Sequence, residues 1–163
     1  TVTPEGVHDP NAIMLTYRNY GDISLYGADA RLDFFLTENV ILNGNLSFVS
    51  DDEFESDGKT IALNAPKNKF GLGVKYINAD LGLSSQLQFR YIAGFPVNSG
   101  VYIGEVDPYQ LIDVNFAYDL PAFLSTPPRF SLTIQNLLNN QHKEFVGMPE
   151  IGRLALMQIT QSF

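Results

Sequence analysis

Apolar and polar side chains alternate along most of the chain. In the clearest segment, residues 110–120, every second residue from Ile112 to Leu120 is apolar, and Asp113 and Asp119 lie among the residues between them. Similar segments begin near Tyr26, Val40, Lys67, Leu81, Phe130 and Gly152. Successive side chains of a β-strand point to opposite faces, so the pattern predicts about seven strands, each with an apolar and a polar face.

The length of these segments favours a membrane barrel over a soluble sheet. Strands of soluble sandwiches usually have about 5 to 6 residues, whereas the alternating segments here have about 11 to 15. A strand that crosses a bilayer needs about 10 residues tilted near 45°. Aromatic residues lie near the ends of the apolar bands, as at the membrane interfaces of such barrels: Tyr26, Phe34, Phe48, Tyr76, Tyr91 and Tyr118. The half-buried sheet of a soluble protein is the alternative interpretation.

The connections between predicted strands alternate between short and long. Residues 37–39 and 78–80 are tight turns, residues 121–128 are intermediate, and the long connections are residues 51–66, 94–108 and 139–150. Outer-membrane barrels have short periplasmic turns and longer external loops, so we expect the long connections outside the cell.

The strand count near the start of the sequence has two interpretations. Residues 13–36 form either one long strand bent at Gly21, which we favour, or two strands joined by a hairpin there. The first interpretation leaves seven strands, an odd number that does not close a bacterial barrel of the usual even kind. We therefore expect the chain to be part of a larger barrel, and a small closed barrel of eight strands is the alternative.

Composition and charge exclude one class of partner and one class of membrane protein. The chain has 163 residues, 45% apolar and 17% charged, with a net charge of −8. Its few Lys and Arg residues are dispersed, so nucleic acid is not expected as a partner. No apolar run approaches the roughly 20 residues of a spanning helix, which excludes a helical membrane protein.

The sequence contains few candidate residues for catalysis or metal binding. The sequence has no cysteine, no phosphate-binding glycine loop, no zinc signature and no nucleophile elbow. His8 and His142 lie far apart in the sequence, so we expect no metal site, no cofactor and no enzyme activity. The acidic residues 51–57 are interpreted as a solvated loop, with a site for Ca²⁺ or for cations that bridge lipopolysaccharide as the alternative.

Four short motifs occur in a characteristic order. Residues 17–21 read Tyr-Arg-Asn-Tyr-Gly with Gly-Ala-Asp at 27–29, residues 65–69 read Ala-Pro-Lys-Asn-Lys, residues 136–139 read Asn-Leu-Leu-Asn, and residues 152–153 read Gly-Arg. In order and spacing they resemble the C-terminal barrel region of TonB-dependent outer-membrane receptors, over nearly the whole chain. Residues 149–153 most resemble Bacteroidota-type members. The final Phe163, preceded by alternate apolar residues, resembles the signal that barrel-insertion machinery reads.

The resemblance implies a fold and a location. Residues 1–163 would be the C-terminal portion of an antiparallel transmembrane β-barrel of the roughly 22-stranded type, in the bacterial outer membrane and surrounded by lipid and lipopolysaccharide. The sequence contains neither the plug domain nor the TonB box of the family. We expect the plug and the other strands in the same protein or in another chain, with TonB acting only through that plug.

Two groups of residues are candidates for function. Charged residues on the polar face are expected to line the lumen or to contact a plug: Asp29, Arg31, Asp33, Lys69, Lys75, Arg90 and Asp113. Water-exposed pairing between neighbouring strands is the alternative use of these charges. Gly27, Gly71 and Gly73 on the same face are expected to leave room for a plug. Aromatic residues of the long loops are candidates for ligand contact, with anchoring at the membrane interface as the alternative: Phe95, Tyr102, Tyr109 and Phe145.

Three functions remain open at this point. The resemblance implies active, TonB-driven uptake of a scarce nutrient such as a siderophore, cobalamin, glycan or peptide. The second possibility is a small closed barrel that acts as a passive or structural outer-membrane protein or as an enzyme. The third is a barrel that serves as a scaffold for surface lipoproteins without transport.

Overall fold

The computed structural model describes residues 22–56, 58–120 and 127–161, and these residues are all-β. The strands are β1 (Gly27–Phe35), β2 (Val40–Val49), β3 (Glu53–Ser56), β4 (Lys59–Ala62), β5 (Asn68–Asn78), β6 (Leu83–Ile92), β7 (Phe95–Ser99), β8 (Tyr102–Val106), β9 (Tyr109–Asp119), β10 (Arg129–Gln135) and β11 (Leu154–Thr160). Seven of them form one antiparallel sheet in the order β1-β2-β5-β6-β9-β10-β11. In the described ranges, no helix is long and apolar enough to cross a membrane. The predicted antiparallel, all-β architecture is confirmed.

The register of the sheet keeps each predicted face together across the strands. Arg31 lies opposite Asn45, Asn45 opposite Gly71, and Gly71 opposite Arg90, so one polar row crosses four strands. The neighbouring row is apolar and contains Ala30, Leu46, Phe70 and Tyr91. Slipping one strand by a single residue would exchange its two faces, so the alternating sequence and the observed register support each other.

The apolar face of the sheet is not covered by protein in the described part of the chain. Leu32, Leu46, Leu72, Leu87 and Ile159 on this face are all exposed. The buried cluster of apolar residues lies instead in the β7-β8 hairpin, around Phe95. A soluble sandwich would bury such a face against a second sheet.

The sheet does not close into a ring within the described residues. β1 pairs only with β2, and β11 pairs only with β10, so each of these strands has one unpaired edge. Exposed edges of this kind carry unpaired backbone groups that a neighbouring strand can satisfy. The described residues therefore form a partial barrel wall.

Several predicted boundaries were wrong. The strands of the large sheet have between 7 and 11 residues, shorter than predicted, because the ends of the alternating segments pass into turns. Gly82, for example, has a φ of 61° and closes the turn from Ala79. β5 nevertheless spans about 37 Å at about 3.4 Å per residue, which a tilt near 45° reduces to about 26 Å. That height matches the roughly 25 Å apolar band of an outer-membrane barrel.

The long connections contain structure that the sequence analysis assigned to loops. β3 pairs with β4 inside residues 51–66, and β7 pairs with β8 inside residues 94–108. All three long connections lie at one end of the sheet, which we call the long-loop end, because the short turns 36–39 and 79–82 lie at the other. The predicted bend at Gly21, the motif at residues 17–21 and Phe163 lie outside the described residues.

Candidate functional site

The seven charged residues expected to face the lumen all lie on the polar face of the sheet. Asp29, Lys69 and the other members alternate with apolar residues, and the strand register places them on one side. Side chains from β1, β2, β5 and β6 line a hollow of about 580 Å³ on this face. The residues that contribute charge to the hollow are Arg31, Asp33, Lys75 and Arg90. The structure therefore brings charges from three strands to one concave surface.

Two pairs of these charges contact each other. Arg90 Nη2 on β6 lies 2.7 Å from Asp113 Oδ2 on β9, and Arg31 Nε lies 3.0 Å from Asp33 Oδ2 on the same strand. In the described part of the chain, Asp29, Lys69 and Lys75 have no ion-pair partner within 4.0 Å. An exposed ion pair such as Arg31–Asp33 stabilises a fold by only about 0 to 1 kcal/mol, so its charges serve mainly to make the face polar.

Asp113 connects the polar face to the connection between β10 and β11. Its side chain is only 14% exposed, and its Oδ1 accepts a hydrogen bond of 2.9 Å from the backbone N–H of Asn136. Asn136 in turn exchanges two hydrogen bonds with the backbone of Asn140. The Arg90–Asp113 pair thus also holds the start of a long loop.

The backbone conformation of residues 136–139 explains why the motif contains two asparagines. Asn136 and Asn139 have φ values of 55° and 56°, a left-handed conformation that asparagine tolerates better than most residues. Asn139 Oδ1 also accepts a hydrogen bond of 2.9 Å from the backbone N–H of Arg153. The two asparagines therefore shape the connection and tie it to the segment that leads into β11.

The inner glycines are in contact with neighbouring side chains. A Cβ atom at Gly71 would collide with Asn45 Oδ1, and one at Gly73 would collide with the amide groups of Gln88 and Asn43. The space above these glycines is therefore occupied by amides from the adjacent strands. Whether a plug also packs there stays a prediction.

The four loop aromatics fall into two environments. Phe95 is 5% exposed and packs with Val97 and Val106 in the core of the β7-β8 hairpin, so its side chain does not reach the surface. Tyr109 and Phe145 pack against that core from outside. Tyr102 is 48% exposed, and its ring makes an edge contact with Phe145 at a centroid distance of 6.1 Å. Three of the four aromatics are thus available to a ligand at least in part.

Tyr109 and His142 form a stacked pair beside a cavity at the long-loop end. Their ring centroids are 4.3 Å apart and the rings are inclined by 29°. The cavity has a volume of about 260 Å³ and lies between the base of the β7-β8 hairpin and residues 140–150. His142 is 8% exposed, which the sequence did not indicate.

The acidic segment at residues 51–57 does not form a cluster in the described residues. Asp52 pairs with Lys67 at 3.1 Å, while Glu53 and Glu55 are exposed on β3, and Asp57 lies outside the described residues. Across the described ranges, no three His, Cys, Asp or Glu side chains are grouped closely enough to hold a metal ion.

Comparison with known proteins identifies the family. The sequence model of the family described as TonB dependent receptor-like, beta-barrel, matches residues 1–137. The chain belongs to the TonB-dependent receptor β-barrel family. A search of curated proteins finds no match to this chain. The likeness of residues 149–153 to Bacteroidota-type members stays a prediction, because these residues lie beyond the matched range.

Family membership agrees with the two faces of the sheet. Barrels of TonB-dependent receptors are outer-membrane proteins of Gram-negative bacteria, and the chain is a segment of such a receptor or transporter. Outer-membrane barrels have an outward-facing apolar band and a polar interior, and this sheet has one apolar and one polar face. The family consists of receptor and transporter barrels and is not a family of enzymes.

One polar cluster of this receptor barrel was not predicted from the sequence. Arg129 at the start of β10 lies directly opposite Asp119, and its Nη1 is 2.7 Å from Asp119 Oδ1. Its Nη2 donates a hydrogen bond of 2.9 Å to Ser84 Oγ on β6. The cluster joins three strands at the short-turn end. Opposite charges at the ends of two adjacent predicted strands were the signal that could have revealed it.

Proposed function

We propose that this chain builds part of the wall and the outer loops of a receptor that takes up a scarce nutrient across the bacterial outer membrane. TonB drives the uptake through a plug domain that contacts the polar face. The nutrient belongs to the siderophore, cobalamin, glycan or peptide classes. In this arrangement the long-loop end faces the medium, the short turns face the periplasm, and lipid and lipopolysaccharide surround the apolar face.

The observation that carries the proposal is the contrast between the two faces of one seven-stranded sheet. Large apolar side chains such as Leu72 and Leu87 are exposed on one face, while charged and amide side chains line a hollow on the other. Without lipid, so large an apolar surface would drive aggregation. Among the described residues, β1 and β11 each have an unpaired edge, as expected for a segment of a larger barrel.

The lipid environment and the barrel interior can be compared at two neighbouring residues of β6, which lie at nearly the same depth in the membrane. The 163 residues contain no cysteine, so single cysteines at Leu87 and Gln88 can each carry a nitroxide spin label in a full-length receptor whose other cysteines, where present, are replaced by serine. In lipid vesicles, we expect the label at Leu87→Cys to be relaxed by oxygen and protected from a water-soluble nickel chelate. The label at Gln88→Cys should respond to the chelate if water reaches it, or to neither reagent if a plug covers it. Equal responses from both labels would contradict the proposal.

Transport is tested separately from membrane insertion. A strain that lacks the receptor gene should grow more slowly on one of the four nutrient classes, and the intact gene should restore growth. Removal of TonB should abolish uptake of that labelled nutrient even when the receptor is present in the outer membrane. Uptake that continues without TonB would contradict active transport. Growth that is unaffected, together with a surface lipoprotein that copurifies in stoichiometric amounts, would favour a scaffold.

A further inference from the structure

The cavity at the long-loop end is lined by several hydrogen-bond acceptors. Its lining includes the carboxylates of Glu105, Asp107 and Glu150, the rings of Tyr109 and His142, and a single basic side chain, Lys143. The three carboxylate residues are exposed, so they lie at the rim of the cavity. The electrostatic balance of the wall therefore favours a positively charged ligand over an anion.

The hydrogen bonds of His142 leave one ring nitrogen available as an acceptor. His142 Nδ1 lies 3.0 Å from the backbone carbonyl oxygen of Asn140, which only accepts, so Nδ1 carries the hydrogen. Nε2 of the neutral ring then has a lone pair and no hydrogen. This atom is buried and has no hydrogen-bond partner among the described residues. A buried polar atom without a partner is unfavourable. Because His142 lines the cavity, a ligand in the cavity whose donor reaches Nε2 would gain free energy on binding.

Glu144 supplies a second acceptor next to this nitrogen. Glu144 Oε1 lies 3.7 Å from His142 Nε2, too far for a hydrogen bond between them. Glu144 is exposed and is not among the residues that line the cavity. Its carboxylate therefore adds negative charge near Nε2 without satisfying this nitrogen.

The aromatic rings add a second preference for a cation. Tyr109 stacks on His142, and Phe145 also lines the cavity, so π faces and edges border the acceptor groups. Ammonium and guanidinium groups are attracted to aromatic faces and donate charge-assisted hydrogen bonds to carboxylates. A metal ion fits less well, because the described residues contain no grouping of three metal-ligating side chains.

We propose that this cavity binds an ammonium or guanidinium group, donated either by a small free cation or by a basic side chain of a polypeptide. The binding site follows from the loop geometry and does not require that the receptor transports what it binds. The volume of about 260 Å³ accommodates such a group together with part of its aliphatic stem. Nutrient uptake and cation binding are therefore separate claims that separate experiments test.

The test uses the full-length receptor in detergent micelles and isothermal titration with three probes. These are agmatine, the pentapeptide Gly-Gly-Arg-Gly-Gly, and the same pentapeptide with citrulline in place of arginine. Citrulline keeps the shape of arginine but has no charge. We expect the citrulline peptide to bind about ten- to a hundredfold more weakly than the arginine peptide, the range expected for charge-assisted hydrogen bonds. Equal affinity of the two peptides would overturn the proposal.

Matched variants locate the binding. Glu105→Gln/Glu150→Gln removes two charges from the rim at exposed positions, so folding should be preserved, and we expect affinity for the arginine peptide to fall about tenfold. Glu53→Gln/Glu55→Gln removes two charges from β3 at the same end of the sheet, outside the cavity lining, and should leave affinity unchanged. Equal losses in both variants would show general charge attraction and overturn the site.

A third readout reports on His142 itself. The ¹⁵N resonance of its Nε2, assigned by its loss in His142→Gln, should move upfield when either cation binds, as for a ring nitrogen that accepts a hydrogen bond. A resonance that stays unchanged at saturation would overturn the role of this atom. Agmatine binding as tightly as the arginine peptide would assign the site to free cations, and much weaker agmatine binding would assign it to polypeptide side chains.

Discussion

Replacement of Leu72 by arginine tests whether the apolar face meets lipid. Leu72 is on β5, next to the central residue Gly73, and is 51% exposed on the apolar face. It lies opposite Gly44 of β2 and Phe89 of β6, so it is near the middle of the sheet in both directions. At about 3.4 Å per residue, Leu72 is within about 4 Å of the middle of the strand.

The expected magnitude follows from that depth. An arginine on the lipid face near the bilayer midplane costs about 2 to 4 kcal/mol, and the cost falls to about 0 to 1 kcal/mol near the interfaces. Leu72→Arg should therefore lower the folding equilibrium constant about thirtyfold to several hundredfold. Leu83→Arg, at the first residue of β6 on the same face, should have a much smaller effect.

Gln88→Arg is the matched control on the opposite face. Gln88 lies opposite Gly73 and Asp113, so the new arginine is at the same depth and faces a carboxylate. We expect a change within about 0.5 kcal/mol, as for ordinary polar surface substitutions. The measurement is reversible unfolding of the full-length protein in lipid vesicles by guanidinium chloride, followed by far-ultraviolet circular dichroism. Equal destabilisation by Leu72→Arg and Gln88→Arg would refute a lipid-facing apolar surface.

Three further substitutions test contacts within the sheet and its long loop. Asp113→Asn weakens the acceptor that holds Arg90 and the backbone of Asn136, and should lower the free energy of unfolding by about 1 to 3 kcal/mol in the same assay. Gly27→Ala places a Cβ atom 2.5 Å from the backbone carbonyl oxygen of Phe48, so it should cost about 1 to 3 kcal/mol, measured as a lower thermal unfolding midpoint. Asn139→Ala removes a side-chain hydrogen bond at a φ of 56° and should speed proteolysis of residues 136–153.

Each substitution has its own control. Gly44→Ala should be tolerated better than Gly27→Ala, because its nearest neighbour is a flexible Leu72 methyl group at 3.4 Å. Asn139→Gly keeps the left-handed conformation, so it separates the loss of the hydrogen bond from backbone strain. Asp113→Glu keeps the charge and should retain more stability than Asp113→Asn. A reversed order in any pair would contradict the contact concerned.

Alternation was sufficient to predict which residues share a face. The period of two placed Asp29, Arg31 and Asp33 together, and the strand register confirms that they share the polar face with Arg90 and Asp113. The prediction succeeded because a strand between lipid and a polar interior has no freedom to slip by one residue. The motif at residues 136–139 could also be identified from local sequence, because Asn136 and Asn139 adopt a left-handed backbone conformation that few other residues tolerate.

The long loops were not predictable in the same way. Phe95, Val97 and Val106 form a small core inside a connection, and no repeating pattern distinguishes that hairpin from an irregular loop. Leu111 is buried on the polar face, where alternation predicts a polar residue. Such residues are selected by contacts between distant segments, which a local pattern does not encode.

The amino-acid sequence by itself determined the seven strands of the large sheet, their two faces and the family of this receptor barrel, because alternation and short motifs are local patterns. Only the tertiary structure decided which charges pair, that His142 is buried beside Tyr109, and that a cavity separates the β7-β8 hairpin from residues 140–150. Apart from the Arg31–Asp33 pair, these features join residues of different strands or loops, and their geometry depends on how those segments pack.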